Sequence, residues 1–133
     1  MASTDSRAFD DPGTFVEIPP VNRIRERVRA WHDAGYPGVT GVTKRLLEHW
    51  NDPQEFETRR FFSCQIEAAE TLIRLSEAPA SERVGVDIPS DGGTFERLCA
   101  KMATGSGKTV VMAMVIAWHV PNKVANPWDT RFA

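Results

Sequence analysis

The chain has 133 residues, of which 41% are hydrophobic and 26% are charged, a composition typical of a globular protein. Its formal net charge of -2 excludes a general electrostatic attraction to nucleic acid, so any such contact needs a local basic patch. The sequence shows no secretory signal and no membrane-length apolar run, and its two cysteines have no metal-ligand spacing, which together indicate a cytoplasmic protein with reduced thiols.

The N-terminal part of the chain is predicted to be a flexible tail followed by helices. Residues 1–20 form the tail, because they begin with a stretch rich in Ser, Thr, Asp and Gly. Residues 21–60 form a helical region, whose first helix ends before Gly35, a residue type that favours helix C-termini. The apolar residues of this helix recur at helical spacing and are Val21, Ile24, Val28 and Trp31.

The first helix also has a basic face, formed by Arg23, Arg25, Arg27 and Arg29. Guanidinium groups suit the phosphates of nucleic acid, so one interpretation of this face is contact with a DNA backbone. Glu26 and Asp33 interrupt the positive charge, and a basic helix face is usually just solvated. We therefore favour a solvated face.

Two further helices are predicted before residue 78. The second begins near Thr40 or Thr43, either of which can serve as its N-cap, and it ends before Pro53. The third begins near Ser63, ends before Pro79 and places on one face Ile66, Ala69, Leu72 and Ile73. Residues 78–94 contain many turn-forming residues and fit either an ordered hairpin or an exposed loop.

Residues 101–109 read Lys-Met-Ala-Thr-Gly-Ser-Gly-Lys-Thr, a string typical of a phosphate-binding loop. Its glycines permit consecutive backbone N–H groups to turn inward around an anion. Lys108 would then reach the β- and γ-phosphates of a nucleotide, and the Thr109 hydroxyl would ligate the bridging Mg²⁺. The predicted nucleotide-binding residues of this loop are Thr104, Gly105, Ser106, Gly107, Lys108 and Thr109. The competing interpretation is a glycine-rich turn that matches the pattern by chance.

The surroundings of the loop predict an α/β fold. Residues 97–102 can form a short strand, and residues 108–120 are apolar nearly all round, as in a helix buried against a sheet. Pro121 is expected to end this helix. A strand, a loop and a helix in this order form the start of a parallel sheet, whose other strands this chain does not supply.

The generic loop pattern has glycine where this chain has Met102, so only its second half is met. Residues 102–109 instead resemble the first motif of superfamily 2 helicases and DNA translocases, in which a bulky residue is common at that position. Residues 97–118 are similar to the type III restriction enzyme subunit that carries the helicase and nuclease, and the resemblance extends from about residue 37 to the C-terminus. It implies a helix-rich N-terminal fragment of a RecA-like P-loop NTPase, with residues 61–133 as the start of the ATP-binding lobe.

The resemblance also implies a function for the whole protein. ATP and Mg²⁺ would be its cofactors, and ATP hydrolysis would drive movement along double-stranded DNA. A methyltransferase subunit would be its partner in a restriction-modification system, although residues 1–133 show no nuclease.

Residues 60–65 resemble the glutamine motif that superfamily 2 proteins place before their phosphate loop. The amide of Gln65 can donate to the adenine edge and accept from it at once, and Phe61 or Phe62 can pack on the purine face. The competing interpretation makes Gln65 an ordinary residue of the first helical turn and the phenylalanines a hydrophobic staple.

Hydrolysis of ATP needs an acidic pair at the end of a later strand. The only acidic residue after the loop is Asp129, and no apolar strand precedes it. We therefore expect an N-terminal fragment of a helicase that is poorly stable alone and does not hydrolyse ATP. The alternative is a nucleotide-binding regulatory protein that completes its sheet with a partner, although the sequence shows no other surface to replace the missing strands. A small P-loop kinase is disfavoured, because the motif leaves no room after it for a lid and a base-binding element.

Overall fold

The computed structural model describes residues 18–54, 60–83, 85–86, 88, 92–94 and 98–132. Five α-helices and one short 3-10 helix occur in this part of the chain. They are α1 (Pro19–Asp33), α2 (Gly41–Asn51), α3 (Ser63–Glu77), α4 (Ala80–Arg83), α5 (Lys108–Ala125) and the 3-10 helix Thr130–Phe132. Most of the predicted N-terminal tail lies outside the described residues, and the proposed domain boundaries remain predictions.

Helices α1, α2 and α3 confirm the three predicted helices. Two prolines open α1, where their fixed φ is compatible with a helix and their missing N–H groups cost no hydrogen bond. Gly35 follows the end of α1 in the left-handed region, at φ 77°. The Thr40 hydroxyl accepts from the Thr43 N–H and caps α2, so Thr40 is the N-cap.

The hydrophobic core lies where α3 packs against α1, α2 and α5. Helices α1, α2 and α3 each contribute aromatic or aliphatic side chains from one face, as the helical spacing predicted. Helix α5 was predicted to be buried nearly all round, but only one of its faces is buried, at Val111, Met114 and Trp118. The buried core residues are Trp31, Tyr36, Leu47, Trp50, Ala69, Ile73, Met114, Trp118 and Phe132.

A buried carboxylate joins three of these helices. Glu77, near the end of α3, is 2% exposed. Its carboxylate accepts from the Thr40 N–H at 2.8 Å, from the Trp118 indole N–H at 2.7 Å and from the Thr43 hydroxyl. Asn122, which is fully buried, donates to the Thr43 hydroxyl at 2.8 Å and extends the network along α5. These bonds compensate the desolvation of a charged group in the core.

The predicted α/β fold with a parallel sheet is wrong for this structure. The described residues contain helices, turns and irregular segments but no strand, and residues 98–103 are not paired with another segment as a strand would be. A strand exists only where a neighbouring strand bonds its N–H and C=O groups, and no such neighbour lies within the described part of the chain. The prediction of a strand before the loop is therefore not confirmed for residues 98–102, and residue 97 lies outside the described residues.

The expectation that Pro121 ends the last helix is also wrong, because α5 continues through this residue to Ala125. A contact with α2 holds the turn after Pro121 in place, because the buried Asn122 side chain donates to the Thr43 hydroxyl at 2.8 Å. Within α5, the same side chain donates to the Trp118 carbonyl at 2.8 Å, and the Asn126 N–H donates to the Asn122 carbonyl at 2.8 Å. These bonds offset the hydrogen bond that proline removes from a helix interior.

Candidate nucleotide-binding site

The loop before α5 turns sharply at two glycines. Gly105 and Gly107 have φ values of 79° and 78°, in the left-handed region that side chains with a Cβ atom rarely adopt. Between them, the Ser106 hydroxyl donates to the Ala103 carbonyl at 2.6 Å and closes the turn. The loop therefore has the backbone reversal that the sequence pattern predicted for these glycines.

The N-terminus of α5 faces solvent without a side-chain cap. Gly107 is the N-cap and offers no side-chain oxygen to the free N–H groups of the first turn, which also contains no acidic residue. Lys108 and Thr109 are the first two helical residues, and both are exposed. Uncapped N–H groups, the positive end of an 18-residue helix and a lysine side chain favour an anion at this point.

Gln65 connects the start of α3 to the loop. Its side-chain oxygen accepts from the Phe62 N–H at 2.9 Å, and its Nε2 donates to the Ser106 carbonyl at 3.1 Å. Gln65 is 4% exposed, and a Cβ atom added to Gly107 would lie 2.1 Å from Nε2. The backbone conformation therefore favours glycine at position 107, and a larger residue there would also displace the Gln65 amide from the Ser106 carbonyl.

The structure brings one of the two predicted adenine contacts against the loop and leaves the side chain of the other exposed. Gln65 lies against the loop, although 41 positions separate it from Ser106. Phe62, predicted as an adenine contact, is 61% exposed at the N-cap of α3, whereas Phe61 packs against the core. The side chain of Phe62 is thus accessible to a ligand, whereas the side chain of Phe61 is partly buried against the core.

Sequence reasoning did not foresee the contact between Gln65 and the loop carbonyl. The resemblance of residues 60–65 to a glutamine motif was the only signal that this residue belongs near the loop, and it suggested a contact with adenine. The second neighbour of the same carbonyl, the Cys64 thiol with its sulfur 4.0 Å from the oxygen, had no signal in the sequence.

Asp129, the only acidic residue after the loop, is engaged by Arg131. The guanidinium Nη2 lies 2.7 Å from the carboxylate, and these side-chain and backbone hydrogen bonds hold the pKa of Asp129 below its ordinary value. The Asp129 carboxylate is therefore engaged in an ion pair within its own turn.

The described residues can bind Mg²⁺ only together with a nucleotide that supplies further oxygen ligands. The described residues contain no group of three or more His, Cys, Asp or Glu side chains that could hold a metal ion. Mg²⁺ is commonly bound by one or two protein oxygens together with phosphates and waters, and the exposed Thr109 hydroxyl can supply one such oxygen.

The basic face of α1 is partly used within the protein. Arg25 pairs with Glu67 of α3, and Arg27 donates to the Glu82 carbonyl at 3.4 Å. Arg23 and Arg29 are exposed.

Within the described residues, no helix combines the length and the apolar composition needed to cross a bilayer.

Comparison with known proteins gave one finding. The family model described as "Type III restriction enzyme, res subunit" matches residues 58–127, a span that includes Gln65, the whole loop and α5. No match was found among curated proteins or among solved structures.

Proposed function

Since the chain belongs to the family of type III restriction enzyme res subunits, a family of superfamily 2 helicase domains, we propose that it binds Mg²⁺-ATP at residues 104–109. The observation that carries this proposal is the geometry at the start of α5. Two left-handed glycines precede a long helix whose first N–H groups have no side-chain cap. Backbone N–H groups in that arrangement bind phosphate oxygens.

Each loop residue then has a distinct role. The turn at Gly105 and Gly107 directs N–H groups toward the phosphates. Thr104 and Ser106 form the rest of the loop that surrounds them. Lys108 neutralises the charge of the β- and γ-phosphates, and the Thr109 hydroxyl is a ligand of the Mg²⁺ bound to them. Mg²⁺ supplies charge neutralisation at the phosphate oxygens when it is bound.

Within this proposal the chain holds the nucleotide and does not cleave it. Cleavage requires a carboxylate that positions the attacking water, and Asp129 is occupied by Arg131. Double-stranded DNA and a modification methyltransferase are the proposed partners, and the cytoplasm is the proposed location. These three proposals rest on family membership and on the sequence.

Replacement of Lys108 by alanine tests the phosphate contact directly. We expect the Kd for Mg²⁺-ATP to rise about 10- to 100-fold, because a hydrogen bond to a charged group contributes about 1.5–3 kcal/mol. Isothermal titration calorimetry measures this change. Lys123→Ala is the matched control, since Lys123 is exposed in the last turn of the same helix and should leave the Kd unchanged. Equal affinities of the two variants for ATP would contradict the proposal.

Replacement of Gln65 by alanine separates a base contact from support of the loop. One amide hydrogen and one lone pair of Gln65 remain for adenine after its bonds to Ser106 and Phe62. Each neutral hydrogen bond contributes about 0.5–1.5 kcal/mol, so we expect the Kd to rise about tenfold more for ATP than for tripolyphosphate. Titrations with both ligands and with GTP measure the difference. An equal loss for all three would show that Gln65 acts on the loop alone.

A further inference from the structure

A cavity of about 410 Å³ lies between α1, the C-terminal half of α3 and α4. Its polar lining includes two arginines, Arg27 of α1 and Arg74 of α3, and the hydroxyl of Ser81 in α4. Glu82 is the only acidic residue among the described residues that line it. The two guanidinium groups therefore exceed the single carboxylate by one positive charge, and the lining favours an anion.

Arg74 is buried with too few acceptors for its five N–H groups. Its side chain is 3% exposed, and its Nε has no hydrogen-bond partner in the part of the chain that the structure describes. Its Nη2 lies 3.3 Å from a carboxylate oxygen of Glu82 and 3.5 Å from the Glu82 carbonyl, both longer than the roughly 2.9–3.0 Å of a typical bond. A buried donor without an acceptor is destabilising, so an oxygen that reaches Nε is favoured here.

The unused donor lies on a particular edge of the guanidinium group. The N–H of Nε and one N–H of Nη2 point in parallel from the same edge and form the fork that two oxygens of an oxyanion fill. Glu82 occupies only the Nη2 half of this fork. Arg27 converges on the same place, because its Nη1 lies 3.4 Å from the Glu82 carbonyl that Nη2 of Arg74 also contacts.

We propose that this cavity binds a small phosphomonoester, whose phosphoryl group takes the place of the Glu82 carboxylate. Two phosphoryl oxygens accept from Nε and Nη2 of Arg74, and the third accepts from Arg27. A carboxylate has only two oxygens and leaves the second arginine without one. Glu82 can give up its position because its side chain is 58% exposed and can rotate into solvent.

The rest of the lining indicates an ester and not the free anion. Four lining residues are apolar, namely Ala30, Trp31, Ala34 and Pro37, and they suit the apolar body of a ligand. The volume is at the small end of the roughly 300–1,000 Å³ typical of ligand cavities. Arg74 follows Gln65 by nine positions, or about 14 Å along α3, so this site is separate from the phosphate loop and its test does not depend on nucleotide binding there.

The Nε–H resonance of Arg74, assigned through the bonds of its own side chain, tests the site directly. We expect sodium phosphate, titrated into the ¹⁵N-labelled full chain, to shift this resonance downfield until it saturates. Phenyl phosphate should saturate it at a concentration about three- to tenfold lower, because its ring packs on the apolar lining. No shift with phosphate, an equal shift with sodium chloride at the same ionic strength, or equal affinities for the two phosphates would overturn the proposal.

Replacement of Glu82 by alanine removes the competing carboxylate and keeps the carbonyl that both arginines contact. We expect the Kd for phosphate at this site to fall about two- to fivefold. Glu67→Ala is the matched control, because it removes a carboxylate from a different arginine, Arg25, and should leave this Kd unchanged. A Glu82→Ala variant that binds phosphate no more tightly than the unmodified chain would contradict the displacement of Glu82 and overturn the proposal.

Replacement of Arg74 by lysine keeps the positive charge but removes the fork. We expect the Kd for phosphate, followed here by the indole N–H resonance of Trp31 in the cavity wall, to rise about tenfold. The Kd for Mg²⁺-ATP at the phosphate loop should stay within about twofold of its original value, because Arg74 does not contact residues 104–109. An unchanged affinity for phosphate would overturn the proposal, and the Glu82→Ala result decides it if Arg74→Lys does not fold.

Discussion

Replacement of Glu77 by alanine should lower the free energy of unfolding by about 3–5 kcal/mol. The substitution leaves the Trp118 indole N–H and the Thr40 N–H buried without an acceptor, and each such group costs about 1–3 kcal/mol. It also removes the acceptor of the Thr43 hydroxyl. Small domains have a total stability of about 5–15 kcal/mol, so this variant should be partly unfolded at 37 °C.

Urea unfolding followed by tryptophan fluorescence measures the loss. Glu48→Ala is the matched control, because Glu48 is exposed on α2 and its removal should change stability by about 0.5 kcal/mol or less. Glu77→Gln keeps one oxygen for Trp118 and should fall between the two. If Glu77→Ala and Glu48→Ala unfold at the same urea concentration, the buried network does not contribute to stability.

Replacement of Gly107 by alanine should have the largest effect on the candidate site. A Cβ atom at this position lies 2.1 Å from Nε2 of Gln65, and the left-handed conformation costs a side-chain residue about 1–2 kcal/mol. The Gln65 amide must leave the Ser106 carbonyl to relieve the contact, and the loop must relieve the backbone strain, so we expect the Kd for Mg²⁺-ATP to rise by about 100-fold. The free energy of unfolding should fall as well, by about 2–4 kcal/mol.

Two other glycines serve as controls for this prediction. Gly105→Ala meets no atom within 4 Å but has a φ of 79°, so it reports the backbone strain alone. Gly41→Ala also meets no atom within 4 Å and lies in α2, where alanine is favoured over glycine. The expected order of nucleotide affinity is Gly41→Ala, then Gly105→Ala, then Gly107→Ala. If Gly107→Ala and Gly105→Ala are equal, the contact with Gln65 does not constrain the loop.

Local patterns in the sequence predicted most of the helices. The apolar spacing of Val28 and Trp31, the N-cap at Thr40 and the left-handed Gly35 all concern residues within a few positions of one another, and the structure agrees with each. The turn at Gly105 and Gly107 was predicted on the same basis. In these cases the energetic preference of a short segment is enough to fix its conformation.

The errors concern interactions between distant residues. A strand before the loop was inferred from apolar residues, but pairing depends on a partner strand that a local pattern does not reveal. Pro121 was read as a helix end, although the bonds of Asn122 keep the helix intact beyond it. The sequence did not predict that Glu77 is a buried hydrogen-bond acceptor, because a glutamate in a helical pattern is normally exposed. Only the fold shows that three donors surround its carboxylate.

Helix α3 has the loop contact of Gln65 in its first turn and the buried Glu77 as its last residue, 12 positions later, or about 18 Å along the axis. The loop carbonyl and the indole of a core tryptophan are thus hydrogen-bonded to opposite ends of one helix. A change in the intrinsic fluorescence of Trp118 on addition of Mg²⁺-ATP would show that the two ends are coupled, and no change would show that they are independent.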